Sequence, residues 1–184
     1  MEDKTKTLVL PIELVYAKQI LIFGVVSVLS FCVPFSFGHP QWLVGTLVNT
    51  FLFVSAIFLP NKYILPLAVF PSLGLLARGL VFGPLTYFLL YFLPFIWLAN
   101  LVLIFAFKGL FTKLGYLASL FISALCKFIF LFAIANIYFS FHFVPKIFLQ
   151  TMGWFQLLTA VGGGLVSWLV YRTYCLYFTE NKQM

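Results

Sequence analysis

The chain has 184 residues, of which 64% are hydrophobic and only 8% charged, with a mean hydropathy of +1.12. A soluble domain carries about 25% charged residues, so there is too little polar sequence to cover a soluble core, and one polytopic membrane domain without a soluble appendage is expected. The net charge of +7 sits at the ends of apolar segments rather than in a basic stripe, which argues against nucleic acid as a partner.

Residues 1–13 are polar and hold Glu2, Asp3, Lys4, Lys6 and Glu13, and residues 9–15 read as a short amphipathic piece on the membrane surface. The first span covers about 17–37, with Gly24, Ser27 and Ser30 as small residues and Pro34 near its end. Its apolar run exceeds the usual signal-peptide core of about 7–15 residues, and no A-x-A-like site follows. It is therefore expected to stay as a helix. A loop at 38–41 leads to the second span, 42–59, and a tight turn at 60–62 to the third, 63–77, with kinks at Pro66 and Pro71. The fourth is 84–107, with Pro84 at its first position and Pro94 as a kink. A loop at 108–113, a fifth span at 114–141, a loop at 142–146, a sixth span at 147–174 and a polar tail complete the chain. The fold class expected is an all-α integral membrane protein, a six-transmembrane-helix bundle.

The stretch 65–107 organises the rest. It is apolar almost throughout but broken by Pro71, Gly74, Arg78, Gly79, Gly83 and Pro84. A crossing takes roughly 20 residues, so the stretch spans a bilayer twice. The break is a turn or a re-entrant dip. Lipid tolerates irregular backbone only where protein or a water-filled cavity covers it, so a cavity is expected beside it.

Six spans put both termini on one side. Lys4, Lys6, Lys18, Lys62, Lys108, Lys113, Arg172 and Lys182 fall on that side, Arg78 and Lys146 on the other, and Lys127 within a span. The positive-inside rule then makes both termini cytoplasmic in a multi-pass cell-membrane protein.

All four acids, Glu2, Asp3, Glu13 and Glu180, lie in the tails. This argues against an aspartyl intramembrane protease, metal-dependent lipid-phosphate transferases and most proton-coupled carriers, which use buried carboxylates. His39 and His142 are both expected in outer loops, which disfavours a serine-type intramembrane protease. No phosphate-cradling glycine loop occurs, so the chain does not hydrolyse ATP alone. Cys32, Cys126 and Cys175 make no CxxC pair, so neither a disulfide nor a zinc framework is expected. No enzyme activity and no cofactor is expected; a metal or haem site would rest on His39 and His142 alone.

Lys127 is the leading candidate. A lysine at mid-membrane costs about 2.5–3.5 kcal/mol on insertion scales and marks a functional position by default. It either snorkels and pairs with a carbonyl or lipid phosphate, or it meets a negative charge brought by a substrate; burial also favours the neutral amine. Arg78 is the second cation without an acid, and as an interfacial residue it suits a lipid phosphate better than a substrate. Asn49, Asn136, Gln150, Trp154 and Gln156 fall in the outer halves of their spans, with His39 and His142 in the outer loops. Asn100 and Ser167 fall on the inner side. The outer cluster fits a pocket open to the outside, with apolar walls and a few polar groups; singly, each Asn or Gln also suits helix–helix bonding. Lys127 and Asn136 lie on opposite helix faces. Gln150 and Trp154 share one face of the sixth span. Gln156, Thr159, Ala160, Gly163 and Ser167 share another, which reads as close packing. The substrate-binding set is thus Lys127, Asn49, Arg78, Gln150, Trp154, Asn136 and His142.

The layout and the 72–86 stretch SLGLLARGLVFGPLT, with its G…G…fGP turn, resemble the substrate-binding S components of energy-coupling-factor transporters. The first helix departs from that pattern: Gly24, Ser27 and Ser30 lack the Ala-x-x-x-Ala spacing that many S components use for docking. The resemblance implies capture of a small solute from outside the cell, the family taking up vitamins or metal ions; the missing acids point to a vitamin-like or anionic micronutrient whose carboxylate or phosphate meets Lys127. A separate transmembrane coupling subunit with paired ATPases would supply the energy. The alternative is a non-transport membrane subunit or scaffold.

Overall fold

The computed structural model describes residues 12–37, 39–82 and 86–180, and these are helical apart from short connections, with no strand among them. In chain order the elements are α1 (Ile12–Ser36), α2 (Gln41–Phe58), a single 3-10 turn (Asn61–Tyr63), α3 (Ile64–Phe82), α4 (Thr86–Ser140), α5 (Ile147–Thr151) and α6 (Trp154–Glu180). Four segments are long and apolar enough to cross a bilayer: Glu13–Ser36, Gln41–Phe58, Tyr87–Ser140 and Ile147–Tyr177.

The longest of these does not run straight. A straight helix of 55 residues would be about 80 Å long, against a hydrocarbon layer of about 30 Å. At Gly115 the backbone takes φ 74 and ψ 178, a conformation that glycine adopts without steric cost. The chain reverses there. Phe107 lies against Tyr116 (ring centroids 5.2 Å), Asn100 against Lys127 (2.9 Å) and Phe92 against Tyr138 (5.2 Å). The two arms, 86–114 and 116–140, are therefore antiparallel neighbours.

Two further pairs complete the bundle, and both run parallel. In the first, α1 lies along α3: Phe23 stacks on Tyr63, and Gly74 abuts the Phe31 carbonyl so closely that no β-carbon fits between them. In the second, α2 lies along α6. A β-carbon at Gly163 would stand 2.6 Å from the Thr46 carbonyl and 2.7 Å from the Thr50 nitrogen. Such close backbone approach through small residues is how helices associate in lipid, where apolar burial gives no driving force between them. Thr159, Ala160, Gly163 and Ser167 form the buried face of α6 at this seam.

The structure corrects several expected boundaries. Residues 108–113 are helix rather than loop, because a single glycine makes the turn. The expectation of six separate spans is met only in the coarser form of four spanning segments, the longest doubled back on itself; α3 is not among the four. The expected span at 147–174 is interrupted at Met152–Gly153, and helix continues beyond it to Glu180. α3 continues through Arg78 and Gly79 to Phe82, and Pro66, Pro71 and Pro94 all lie within helix. The expected turn at Gly83 and Pro84, the residues of the tail past 180 and those before 12 lie outside the described residues.

The cations collect at one end. Lys18 donates to the Tyr174 hydroxyl at 2.7 Å, and Lys108 to the Leu59 carbonyl at the end of α2 at 2.8 Å. Lys62 lies over the rings of Tyr16 and Tyr63, and Arg172 over Trp168. Arg78, His142 and Lys146 are at the opposite end of the bundle.

Candidate functional site

Lys127 occupies a core position on the second arm of α4, in line with Leu120, Ala124, Leu131 and Ala135, all fully buried. A leucine would suit this position; the lysine is 3% exposed. Its ammonium donates to Asn49 Oδ1 at 2.7 Å and to Asn100 Oδ1 at 2.9 Å. Each amide is itself held. Asn49 Nδ2 donates to the Gly45 carbonyl (2.8 Å) and to Thr159 Oγ1 (3.3 Å), and Asn100 Nδ2 donates to the Ala68 carbonyl (2.8 Å). The network joins α2, α3, both arms of α4 and α6 through one side chain.

Its depth follows from the helix limits. Asn49, Asn100 and Lys127 each lie near the middle of α2, the first arm and the second arm. One apolar cluster, with Leu52, Phe53, Phe107 and Leu120, packs on the side of the cation-rich end. Another, with Phe92, Ala99, Leu131 and Phe148, packs on the other side. The polar centre is enclosed between the two.

The magnitudes are comparable. Hydrogen bonds to a charged group contribute about 1.5–3 kcal/mol each, so two of them offset an insertion cost of about 2.5–3.5 kcal/mol. An ammonium has three donors. Two go to the amides, and the third has no acceptor among the described residues.

Of the residues expected to bind substrate, Lys127 and Asn49 meet here. The others do not converge on them. Arg78 donates to the Phe35 and Ser36 carbonyls at 3.0 and 2.9 Å, where the last turn of α1 leaves carbonyls without helical partners. Asn136 donates to the Phe132 carbonyl of its own helix at 2.7 Å. Gln150 is exposed on α5, and Trp154 is exposed at the start of α6 with its ring 5.2 Å from that of Phe128. The bend at Met152–Gly153 separates the two. His142 has φ 58, and around it Phe143 N donates to the Tyr138 carbonyl and His142 N to the Phe139 carbonyl. This is a Schellman closure with His142 at the left-handed position and a Tyr138–Phe143 contact across it. His142 thus ends a helix, and it also lines a groove of about 270 Å³ with Phe88, Phe139, Phe143, Val144 and Pro145. Among the described residues no group of three His, Cys, Asp or Glu could hold a metal.

Asn100 is the partner that sequence reasoning missed. With the fourth span ending at 107 it fell on the inner side; with the arm extended to the Gly115 reversal it comes level with Lys127. The signal was Gly115 itself, since Asn100 and Lys127 flank it at similar distances along the chain.

No protein-family model, curated protein or solved structure matches this chain.

Proposed function

We propose that this chain is a six-pass membrane subunit that captures a small anionic solute from outside the cell, with Lys127 as its counter-charge and separate ATPases as the energy source. One observation carries the reading: a cation buried at mid-depth, bonded only to neutral amides and with a donor unspent, in a chain whose four acids are Glu2, Asp3, Glu13 in the first turn of α1 and Glu180 at the end of α6. A carboxylate or phosphate entering the centre would supply the missing charge and the third acceptor. Two features support six passes: the antiparallel arms of α4, each long enough to cross, and the alternating direction of α1, α2, α3 and the first arm. The cation-rich end is then cytoplasmic, which puts both termini inside.

Lys127 is covered in this conformation. A solute from outside reaches it when the aromatic layer of Phe92, Phe95, Tyr138 and Phe148 opens. Binding therefore selects a second conformation, in keeping with the resemblance to S components of energy-coupling-factor transporters. A second reading, a scaffold subunit, is favoured by the same amides: they balance the lysine energetically without any ligand.

The test is thermal unfolding of the detergent-purified protein against vitamins, their precursors and other small carboxylates and phosphates. A ligand at about 100 times its dissociation constant adds about 2.7 kcal/mol to stability. A compound that raises the melting temperature supports capture. No shift across the anionic compounds favours the scaffold.

A further inference from the structure

A second feature lies at the cation-rich end, far from Lys127. Val15, Tyr16 and Gln19 of α1 and Pro60 and Lys62 of the α2–α3 connection line a groove of about 340 Å³. Its walls are mostly apolar, and it holds one cation and one amide. Lys62 is held over this groove by two rings, its ammonium 5.0 Å from the centroids of both Tyr16 and Tyr63. Such cation–π contacts position an ammonium without using its N–H donors. Neither Lys62 nor Gln19 makes a hydrogen bond to another described residue, and Glu13, the one acid with a described side chain, is not paired with Lys62. A second ammonium, that of Lys108, is fixed next to the groove on the carbonyl of Leu59, the residue before Pro60.

We propose that this groove is a binding site for the phosphate head group of an anionic membrane lipid. The fit has three parts. Lys62 supplies charge, with unspent donors, for a phosphodiester. Gln19 supplies a neutral donor for the glycerol or head-group oxygens. Ile20 and Leu65, both more than half exposed and one step deeper along their helices, offer apolar surface to the acyl chains. Basic pockets between membrane helices on the cytoplasmic side bind anionic head groups in this way. The lipid would bridge α1 to the α2–α3 connection beside the ring contacts of Lys62 with Tyr16 and of Tyr63 with Phe23. The site does not depend on the solute reading of Lys127.

The experiment is a lipid titration of the delipidated protein in neutral detergent, followed by native mass spectrometry and thermal unfolding. The probes are phosphatidylglycerol, phosphatidylcholine and inorganic phosphate. One phosphatidylglycerol is expected to bind more tightly than phosphatidylcholine and to raise the melting temperature. Lys62→Gln should weaken that binding about fivefold, the effect of one cation near an anionic surface. Lys62→Arg should retain it, and Lys146→Gln, at the opposite end, should leave it unchanged. Because Lys62 is exposed, the melting temperatures of the lipid-free variants will show that they fold. Equal affinity of the Lys62→Gln and parent proteins for phosphatidylglycerol overturns the site. Equal affinity for both lipids overturns the role of the charge. Inorganic phosphate that stabilises as strongly as the lipid overturns a lipid as its occupant.

Discussion

Two seams at which a glycine admits the backbone of a neighbouring helix are built differently. Where α2 meets α6, Gly163 admits the backbone of α2, and polar pegs lock the contact: Thr50 Oγ1 shares its proton between the Thr46 carbonyl at 2.8 Å and the Gly163 carbonyl at 3.2 Å, and Asn49 Nδ2 donates to Thr159 Oγ1. Asn49 then carries the lock on to Lys127. Where α1 meets α3, Gly74 admits the Phe31 carbonyl, but the hydroxyls of Ser27 and Ser30, like that of Ser167 on α6, find no partner among the described residues, and no such peg crosses mid-seam there. Among the described residues, polar contact between α1 and α3 is confined to the end, where Arg78 holds the α1 carbonyls. One seam is tied into the centre of the molecule. The other is a steric fit at the edge, since α1 packs mainly on α2 and α3.

Substitutions should separate the two seams, and reversible unfolding in mixed micelles can rank them. Gly163→Ala should have the largest effect, a loss of about 3 kcal/mol, because its methyl meets the backbone of a helix that cannot retreat. Asn49→Ala should cost about 2 kcal/mol by removing a charge-assisted bond at the centre. Gly74→Ala should cost only about 1 kcal/mol, although its methyl meets a carbonyl even more closely, because α1 can shift at the edge. A greater loss from Gly74→Ala than from Gly163→Ala would contradict the contrast. Ser30→Ala should be neutral or stabilising by up to about 1 kcal/mol, since it removes a buried hydroxyl that bonds to nothing. A clear loss there would reveal a partner for the hydroxyl.

The helical, membrane-suited character of the chain could be read from composition, and the exceptional position of Lys127 from its setting in an apolar run. The small face of α6 was legible from the spacing of Thr159, Ala160 and Gly163. The partners of Lys127 were not, because depth depends on where helices end. Reading 108–113 as a loop shortened the fourth span and lowered Asn100 by more than a turn. Arg78 and His142 were legible as polar residues near a boundary, but their tasks are local ones of helix termination. Those tasks depend on backbone geometry at Ser36 and His142 that residue type alone does not specify. Gln150 and Trp154 share a face only if the helix is unbroken, and the bend at Met152–Gly153 breaks it.

The central claim is that the charge on Lys127 awaits an anion from outside. The most direct measurement is the affinity of the Asn100→Asp protein for the anionic compound that stabilises the parent. This substitution puts a carboxylate where an amide oxygen now stands, 2.9 Å from the ammonium, and so supplies internally the charge that the solute would bring. The account predicts a folded protein, at least as stable as the parent without ligand, whose affinity for the anion falls by about 100-fold, or about 2.7 kcal/mol. Undiminished affinity in the folded variant would contradict it, because the anion would then be bound elsewhere.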